Sequence, residues 1–104
     1  MDDLRPLIDR IRSLLDRRAA DPGDFVTAVE HTLTDGYAAT LELEGERLRI
    51  ERRMSELART VGGPEEAGEL RSLAARLIAT EAKLSEMRTL LAELRRVAAS
   101  RTAA

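Results

Sequence analysis

The chain has 104 residues and a formal net charge of −2, and its only aromatic residues are Phe25 and Tyr37, so any core has to be aliphatic. It contains no cysteine, which excludes disulfides, thiolate catalysis and cysteine-ligated zinc sites. No apolar stretch approaches the roughly 18 residues of a membrane span, and acidic residues follow Met1, so we expect a cytoplasmic protein without a signal peptide or membrane anchor.

The first predicted element is an amphipathic helix over about residues 3–18. Its apolar residues recur at spacings of three and four, which places them on one face. They are Leu4, Leu7, Ile8, Ile11, Leu14 and Leu15. Asp21, Pro22 and Gly23 are typical of a turn, and Asp24 is suited to cap the next helix with its carboxylate.

A second helix is predicted over about residues 24–61, because its apolar positions alternate in steps of three and four as in a heptad repeat. These positions are Val26, Val29, Leu33, Gly36, Thr40, Leu43, Arg47, Ile50, Met54, Leu57 and Val61. Asp35 and Gly36 could instead form a turn, since glycine inside a helix costs about 1 kcal/mol relative to alanine. We favour one continuous helix because the heptad phase is the same on both sides.

Residues 62–64 predict a tight turn. Gly62 is able to take the left-handed conformation that ends many helices, and Pro64 suits the first turn of the next one. Glu65 and Glu66 then place negative charge where the helix dipole favours it. A phosphate-binding loop would need a preceding strand and a Lys-Ser/Thr pattern, which this stretch lacks.

A third helix is predicted over about residues 65–100, with the same heptad spacing. Its core positions are Leu70, Leu73, Leu77, Thr80, Leu84, Met87, Leu91, Leu94, Ala98 and Arg101. Two matched heptad helices joined by a tight turn predict an antiparallel hairpin with arms of about 50–55 Å. We therefore predict an all-α protein, a single helical domain over residues 1–104. In it, a long coiled-coil hairpin carries the short first helix near residues 24–40 and 85–101.

Antiparallel pairing about the turn predicts which residues face each other. The expected pairs are Leu57 with Leu70, Met54 with Leu73, Ile50 with Leu77, Arg47 with Thr80, Leu43 with Leu84, Thr40 with Met87, Gly36 with Leu91 and Leu33 with Leu94. The pairing of Gly36 with Leu91 predicts a layer of close approach, because the missing side chain leaves room for the large one.

The layer of Arg47 and Thr80 is polar on both sides. A charge among heptad core positions costs stability but disfavours slipped registers. We therefore interpret this pair as a register layer in which Arg47 pairs with Glu44, Glu51 or Glu81. The alternative is that Arg47 binds an anion or a carboxylate of a partner.

The middle of the predicted hairpin has apolar residues outside the heptad core. The short first helix leaves Leu41, Leu48 and Ile78 poorly covered, and Tyr37 belongs to the same stripe as Leu41. Grouped exposed apolar residues mark interaction surfaces. We predict an interface of Tyr37, Leu41, Leu48 and Ile78, filled by a second copy or by a helical partner protein.

The sequence offers little chemistry for an enzyme. His31 is the only histidine, and the glutamates at 42, 44 and 46 lack the Glu-x-x-His pairs of a di-metal bundle. We expect neither catalysis nor a metal or cofactor. The arginines of residues 47–53 lie around the helix, interleaved with Glu46 and Glu51, which does not favour nucleic-acid binding. A nucleic-acid-associated helical protein remains one alternative.

One stretch resembles a known regulatory motif. Glu81, Ser85 and Arg88 match three of the five positions of the E-x3-S-x2-R-x3-Q-x3-D pattern in the helical hairpin of actinobacterial cyclic-di-GMP-responsive anti-sigma factors. The resemblance implies that these three residues contact a cyclic-di-GMP dimer and that the hairpin holds a sigma factor. Ala92 and Arg96 depart from the motif, standing where glutamine and aspartate are expected.

A second resemblance concerns the second helix. The stretch from His31 to Tyr37 and the following residues 41–44 look similar to small uncharacterised coiled-coil proteins of GC-rich actinobacteria. That resemblance implies no activity. The sequence as a whole predicts a small cytoplasmic interaction or regulatory module that self-associates or presents a helical hairpin to a partner. A cyclic-di-GMP-responsive regulator is the first alternative.

Overall fold

The computed structural model describes residues 3–16, 22–60 and 62–103. They form α1 (Arg5–Asp16), α2 (Pro22–Ala58) and α3 (Pro64–Ala103), and these described ranges contain no strand. The all-α prediction is confirmed. No helix in this part of the chain combines the length and apolarity required to span a membrane.

The helix ends differ from the predicted bounds by a few residues. Helix α1 begins at Arg5 rather than at residue 3, and the carboxylate of Asp3 accepts a 3.0 Å hydrogen bond from the backbone N–H of Arg5, one of the free donors of the first turn. Helix α2 begins at Pro22, since proline is tolerated in a first turn where its missing N–H costs little. Asp24 therefore lies inside the first turn and does not precede the helix as its cap.

The predicted ends of the helices can be compared with the structure only in part. Residues 17 and 18, the turn residue Asp21, and Val61 lie outside the described residues. Helix α2 ends at Ala58, and α3 continues to Ala103, beyond the predicted end at residue 100.

Helix α2 continues through Asp35 and Gly36, as predicted. Gly36 is buried, and a Cβ atom built on it would overlap the side chain of Leu91, whose Cδ2 is the nearest atom. Leu91 is itself buried. Glycine therefore lowers the helix propensity at this position but makes room for a core leucine of α3.

The chain divides into two compact units, and each of α2 and α3 contributes to both. Unit 1 comprises Met1–Thr40 and Glu86–Ala104, and unit 2 comprises Leu41–Ser85.

The core of unit 1 draws on all three helices. Its buried cluster consists of Ile11, Leu14, Phe25, Val29, Met87, Leu90, Leu91 and Leu94. Two ion pairs link α1 to the other helices, one between Arg10 and Asp35 and one of 3.2 Å between Arg12 and Glu86. Both pairs are solvent-exposed, and such pairs contribute about 1 kcal/mol or less. Burial of apolar surface therefore supplies most of the stabilisation.

The core of unit 2 is aliphatic. Ile50, Leu57 and Leu73 form its buried cluster, and Met54, Leu70 and Leu77 pack against them. Two ion pairs join α2 to α3, from Arg53 to Glu69 at 2.8 Å and from Arg76 to Glu46 at 2.6 Å. Residues of α2 thus meet residues of α3 in reverse order along the chain.

Gly62 is able to take the left-handed conformation but does not adopt it, and none of the described glycines has a positive φ. Two of the last four carbonyls of α2 accept hydrogen bonds from the residues that follow the helix. The backbone N–H groups of Arg59 and Thr60 donate to the carbonyls of Glu56 and Leu57 at 3.2 and 3.1 Å, and the Thr60 hydroxyl also donates to Glu56. The helix end is therefore tightened without a left-handed residue.

Gly62 and Gly63 instead contribute to the cap at the start of α3. The carboxylate of Glu66 reaches back and accepts a 2.9 Å hydrogen bond from the N–H of Gly63, which is half of a capping box. A Cβ atom built on Gly62 would lie 2.7 Å from Cβ of Glu66, whereas one built on Gly63 would make ordinary contacts. Gly62 therefore provides the space that this cap requires.

The glycines of α2 give a matched test of the Gly36 layer. Replacing either with alanine improves helix propensity by up to about 1 kcal/mol. At Gly36 the new methyl group also collides with Leu91, and overpacking of a core costs about 1–3 kcal/mol. We expect Gly36→Ala to be less stable than Gly45→Ala by about 1–3 kcal/mol in urea unfolding followed by circular dichroism. Equal stabilisation by both substitutions would contradict the close-approach layer.

The linker glycines give a second matched pair. Gly62→Ala forces Glu66 away from its cap, and loss of a cap costs about 0.5–2 kcal/mol. Gly63→Ala meets no such obstacle and keeps the hydrogen bond of Glu66, although alanine is a poorer N-cap than glycine, so its midpoint in thermal unfolding should fall less than that of Gly62→Ala. The account of this cap fails if the two variants unfold at the same temperature.

Candidate protein-interaction surface

Four large apolar side chains of the described residues are exposed. The exposed fraction is 71% for Ile78, 68% for Leu41, 47% for Leu48 and 42% for Tyr37. These are the residues that the sequence assigned to an interface. Their exposure agrees with the expected lack of cover, and their role as an interface stays a prediction.

In unit 2, the exposed apolar residues stand directly beside core positions. Leu41 and Leu48 are seven residues apart on α2, so they lie on one face of that helix. Ile78 on α3 follows Leu77, which packs against the core of the unit. The apolar side chains at these three positions therefore extend outward from the packed seam between the two helices.

In unit 1, the exposed ring of Tyr37 contacts a cation. The guanidinium carbon of Arg95 lies 5.8 Å from the ring centroid. A cation–π contact at an exposed site is worth about 0.5–1 kcal/mol. The sequence reasoning missed this contact, although the predicted pairing of Gly36 with Leu91 and Leu33 with Leu94 brings the two stretches together.

The register-layer residues of unit 2 differ in burial. Thr80 is buried, whereas the side chain of Arg47 is 37% exposed, and its Nε lies 3.7 Å from Oε1 of Glu51. Glu51 is one of the three predicted partners. Arginine can bury its stem and keep its charged head in water, which avoids most of the desolvation cost. Whether Arg47 sets the register or binds an anion stays a prediction.

Two glutamates beside the core of unit 2 are hydrogen-bonded to arginines. Glu46 accepts hydrogen bonds from Arg49 at 3.0 Å and from Arg76 at 2.6 Å. These hydrogen bonds, the one from Arg49 first, lower the pKa of Glu46. The hydrogen bond from Arg53 likewise lowers the pKa of Glu69. Both carboxylates are thus held ionised by neighbouring guanidinium groups.

The motif residues Glu81, Ser85 and Arg88 are all exposed on α3. Spacings of four and three place them on one face of the helix. Ala92, which replaces the expected glutamine, is half-buried, and Arg96 is exposed. The binding of cyclic-di-GMP by these residues stays a prediction.

The single histidine lies beside a shallow depression of unit 1. His31, Arg10, Ser13 and Thr32 line a depression in unit 1, where Arg10 is already paired with Asp35. Within the described ranges, no group of three or more His, Cys, Asp or Glu side chains is arranged to hold a metal ion.

Comparison with models of protein families, with curated proteins and with solved structures finds no match to this chain. The function therefore has to be argued from its own residues.

The lowered pKa values of Glu46 and Glu69 predict a pH dependence of stability. A carboxylate whose pKa is lower in the folded chain stabilises it fully above the ordinary glutamate pKa of about 4.3. That stabilisation is lost as the pH falls through the lower pKa of the folded chain. We expect the free energy of unfolding to drop below about pH 4.3, and to drop less in Glu46→Gln.

Glu42→Gln is the matched control for this measurement. Glu42 is an exposed glutamate of the same helix, and no described residue forms an ion pair with it. It should keep the pH profile of the unmodified chain. An unchanged profile in Glu46→Gln would show that the network around Glu46 does not contribute.

Proposed function

We propose that this chain is a small helical interaction module that acts by self-association. In this proposal α2 and α3 form an antiparallel coiled-coil hairpin and α1 packs on it. The reverse-order ion pairs of unit 2 support the hairpin, as does the fit of Gly36 to Leu91 in unit 1. Both agree with the pairing inferred from the heptads.

The exposure of large apolar side chains carries the proposal. Ile78 and Leu41 are 71% and 68% exposed on helices whose other outward residues are mostly charged or small. Burying a leucine or isoleucine side chain is worth about 1.5–3 kcal/mol relative to leaving it exposed. Covering these residues therefore provides a driving force for association.

A second copy of the chain is the proposed occupant of this exposed apolar surface. In a two-fold dimer the same residues from both chains are buried, so each exposed side chain contributes twice. Association costs at least about 4 kcal/mol in lost translational and rotational freedom. Burying the same few side chains in both copies doubles their favourable free energy, which helps to offset that cost. A helical partner protein is the competing occupant, and a regulatory role would follow from either form of association.

The charged networks argue against a nucleic-acid role. Arg49, Arg53 and Arg76 are each engaged by a carboxylate, through Glu46, Glu56 or Glu69. Phosphate binding would have to compete with these pairs.

Substitution of the exposed apolar residues tests the proposal. We expect the unmodified chain to elute with the mass of two chains in size-exclusion chromatography with light scattering at micromolar concentration. Leu48→Lys and Ile78→Lys place a charge in the proposed interface, so they should shift the mass toward one chain. Loss of one well-covered apolar side chain corresponds to a weakening of about ten-fold or more.

Ser100→Lys serves as the control, because it adds the same charge at an exposed polar position near the end of α3. It should leave the dimer intact, and circular dichroism would verify that all three variants remain helical. If the unmodified chain has the mass of one chain throughout the micromolar range, self-association is wrong and a partner protein becomes the remaining occupant.

A further inference from the structure

The outward face of α3 carries a run of exposed residues around Ile78. Within two turns on either side of Ile78, the exposed positions on this face repeat at helical spacing. They are Arg71, Ser72, Ala75, Ile78, Ala79, Ala82, Ser85 and Glu86, all exposed. The face is thus apolar at its middle, polar further out and charged at its ends.

The order of apolar, polar and charged residues is the same in both directions along the helix from the centre of this face. About a midpoint between Ile78 and Ala79, Ala75 corresponds to Ala82 and Ser72 corresponds to Ser85. The outermost positions also correspond, and they have opposite charge, since one is an arginine and the other a glutamate. A two-fold interface needs a surface that is complementary to itself, and this face meets that condition.

We propose that a second copy of the chain packs against this face in antiparallel orientation, with the two-fold axis passing between Ile78 and Ala79. The inference rests on the proposed self-association and specifies where it occurs. Ile78 of each chain then lies against Ala79 of the other, and Ala75 lies against Ala82. Small side chains allow two helices to approach to the shorter end of the usual 8–10 Å between axes.

Charge complementarity selects the antiparallel orientation. Arg71 of one chain faces Glu86 of the other at both ends of the interface. Glu86 already accepts a 3.2 Å hydrogen bond from Arg12 through one oxygen, and a carboxylate has a second oxygen for another guanidinium. A parallel arrangement would instead bring Arg71 against Arg71, which is unfavourable. A shift of the axis to Ala75 would set Ile78 against Ser72.

The face of α2 about the equivalent midpoint, between Leu48 and Arg49, does not have this property. Its residues at the same spacing include Leu41, Leu48, Arg49, Arg52 and Glu56. Antiparallel packing about the equivalent midpoint would place Leu48 against Arg49 and Leu41 against Glu56. An axis midway between Leu41 and Leu48 would instead set these two leucines against each other, so a dimeric unmodified chain without an Ala79→Cys cross-link would place the axis on α2.

Single-cysteine variants test this geometry, because the chain has no cysteine of its own. Residue 79 lies next to the proposed axis, so Ala79→Cys should form a disulfide-linked dimer under mild oxidation. The two copies of residue 75 would be about 10 Å apart along the helix direction, given a rise of 1.5 Å per residue. A disulfide needs Cα atoms within about 7 Å, so Ala75→Cys should not cross-link with itself.

A mixture of the two variants Ala75→Cys and Ala82→Cys should cross-link, because these positions face each other across the interface. Cross-linking of Ala75→Cys alone, or none in Ala79→Cys, would overturn the antiparallel α3 interface. If the unmodified chain is still dimeric by light scattering in that case, the proposed self-association stands and only its location is wrong. A monomeric unmodified chain would overturn both.

Discussion

Aliphatic side chains at heptad spacing, buried between helices within each unit, are the constraint on which the rest of the structure depends. The chain has one phenylalanine and one tyrosine, so leucine, isoleucine, valine and methionine have to fill the core by close packing. Such packing is sensitive to the volume of each layer. Gly36 illustrates this, because its missing side chain is what allows Leu91 to be buried.

The polar groups then adjust to this packing. The carboxylates of Glu46 and Glu69 lie beside the core of unit 2 and are held by arginines of the facing helix. Arg47, at a heptad core position, keeps its guanidinium partly in solvent and close to Glu51. Leu41, Leu48 and Ile78 lie outside the heptad positions and are exposed. This leftover apolar surface is the physical reason for proposing self-association.

The sequence was sufficient for the features that depend on periodicity. The all-α class, the continuity of α2 through Gly36 and the exposure of Ile78 follow from the three-and-four spacing. It was insufficient where local hydrogen bonds determine the backbone conformation or the pairing of side chains. Gly62 has no left-handed conformation, and the hydrogen bonds that Arg59 and Thr60 donate to Glu56 and Leu57 tighten the end of α2 instead. The pairing of Arg10 with Asp35 depends on the placement of α1, which no heptad pattern specifies.

The self-complementary face of α3 was also present in the sequence, but it becomes evident only once exposure is known for every position from Arg71 to Glu86. The central claim is that a second copy of this chain covers the exposed apolar residues. Native mass spectrometry of the protein purified from its own host tests this most directly, because it reports stoichiometry and any bound partner or ligand together. The account predicts a complex of two identical chains; a single chain, or one chain bound to a different protein, would contradict it.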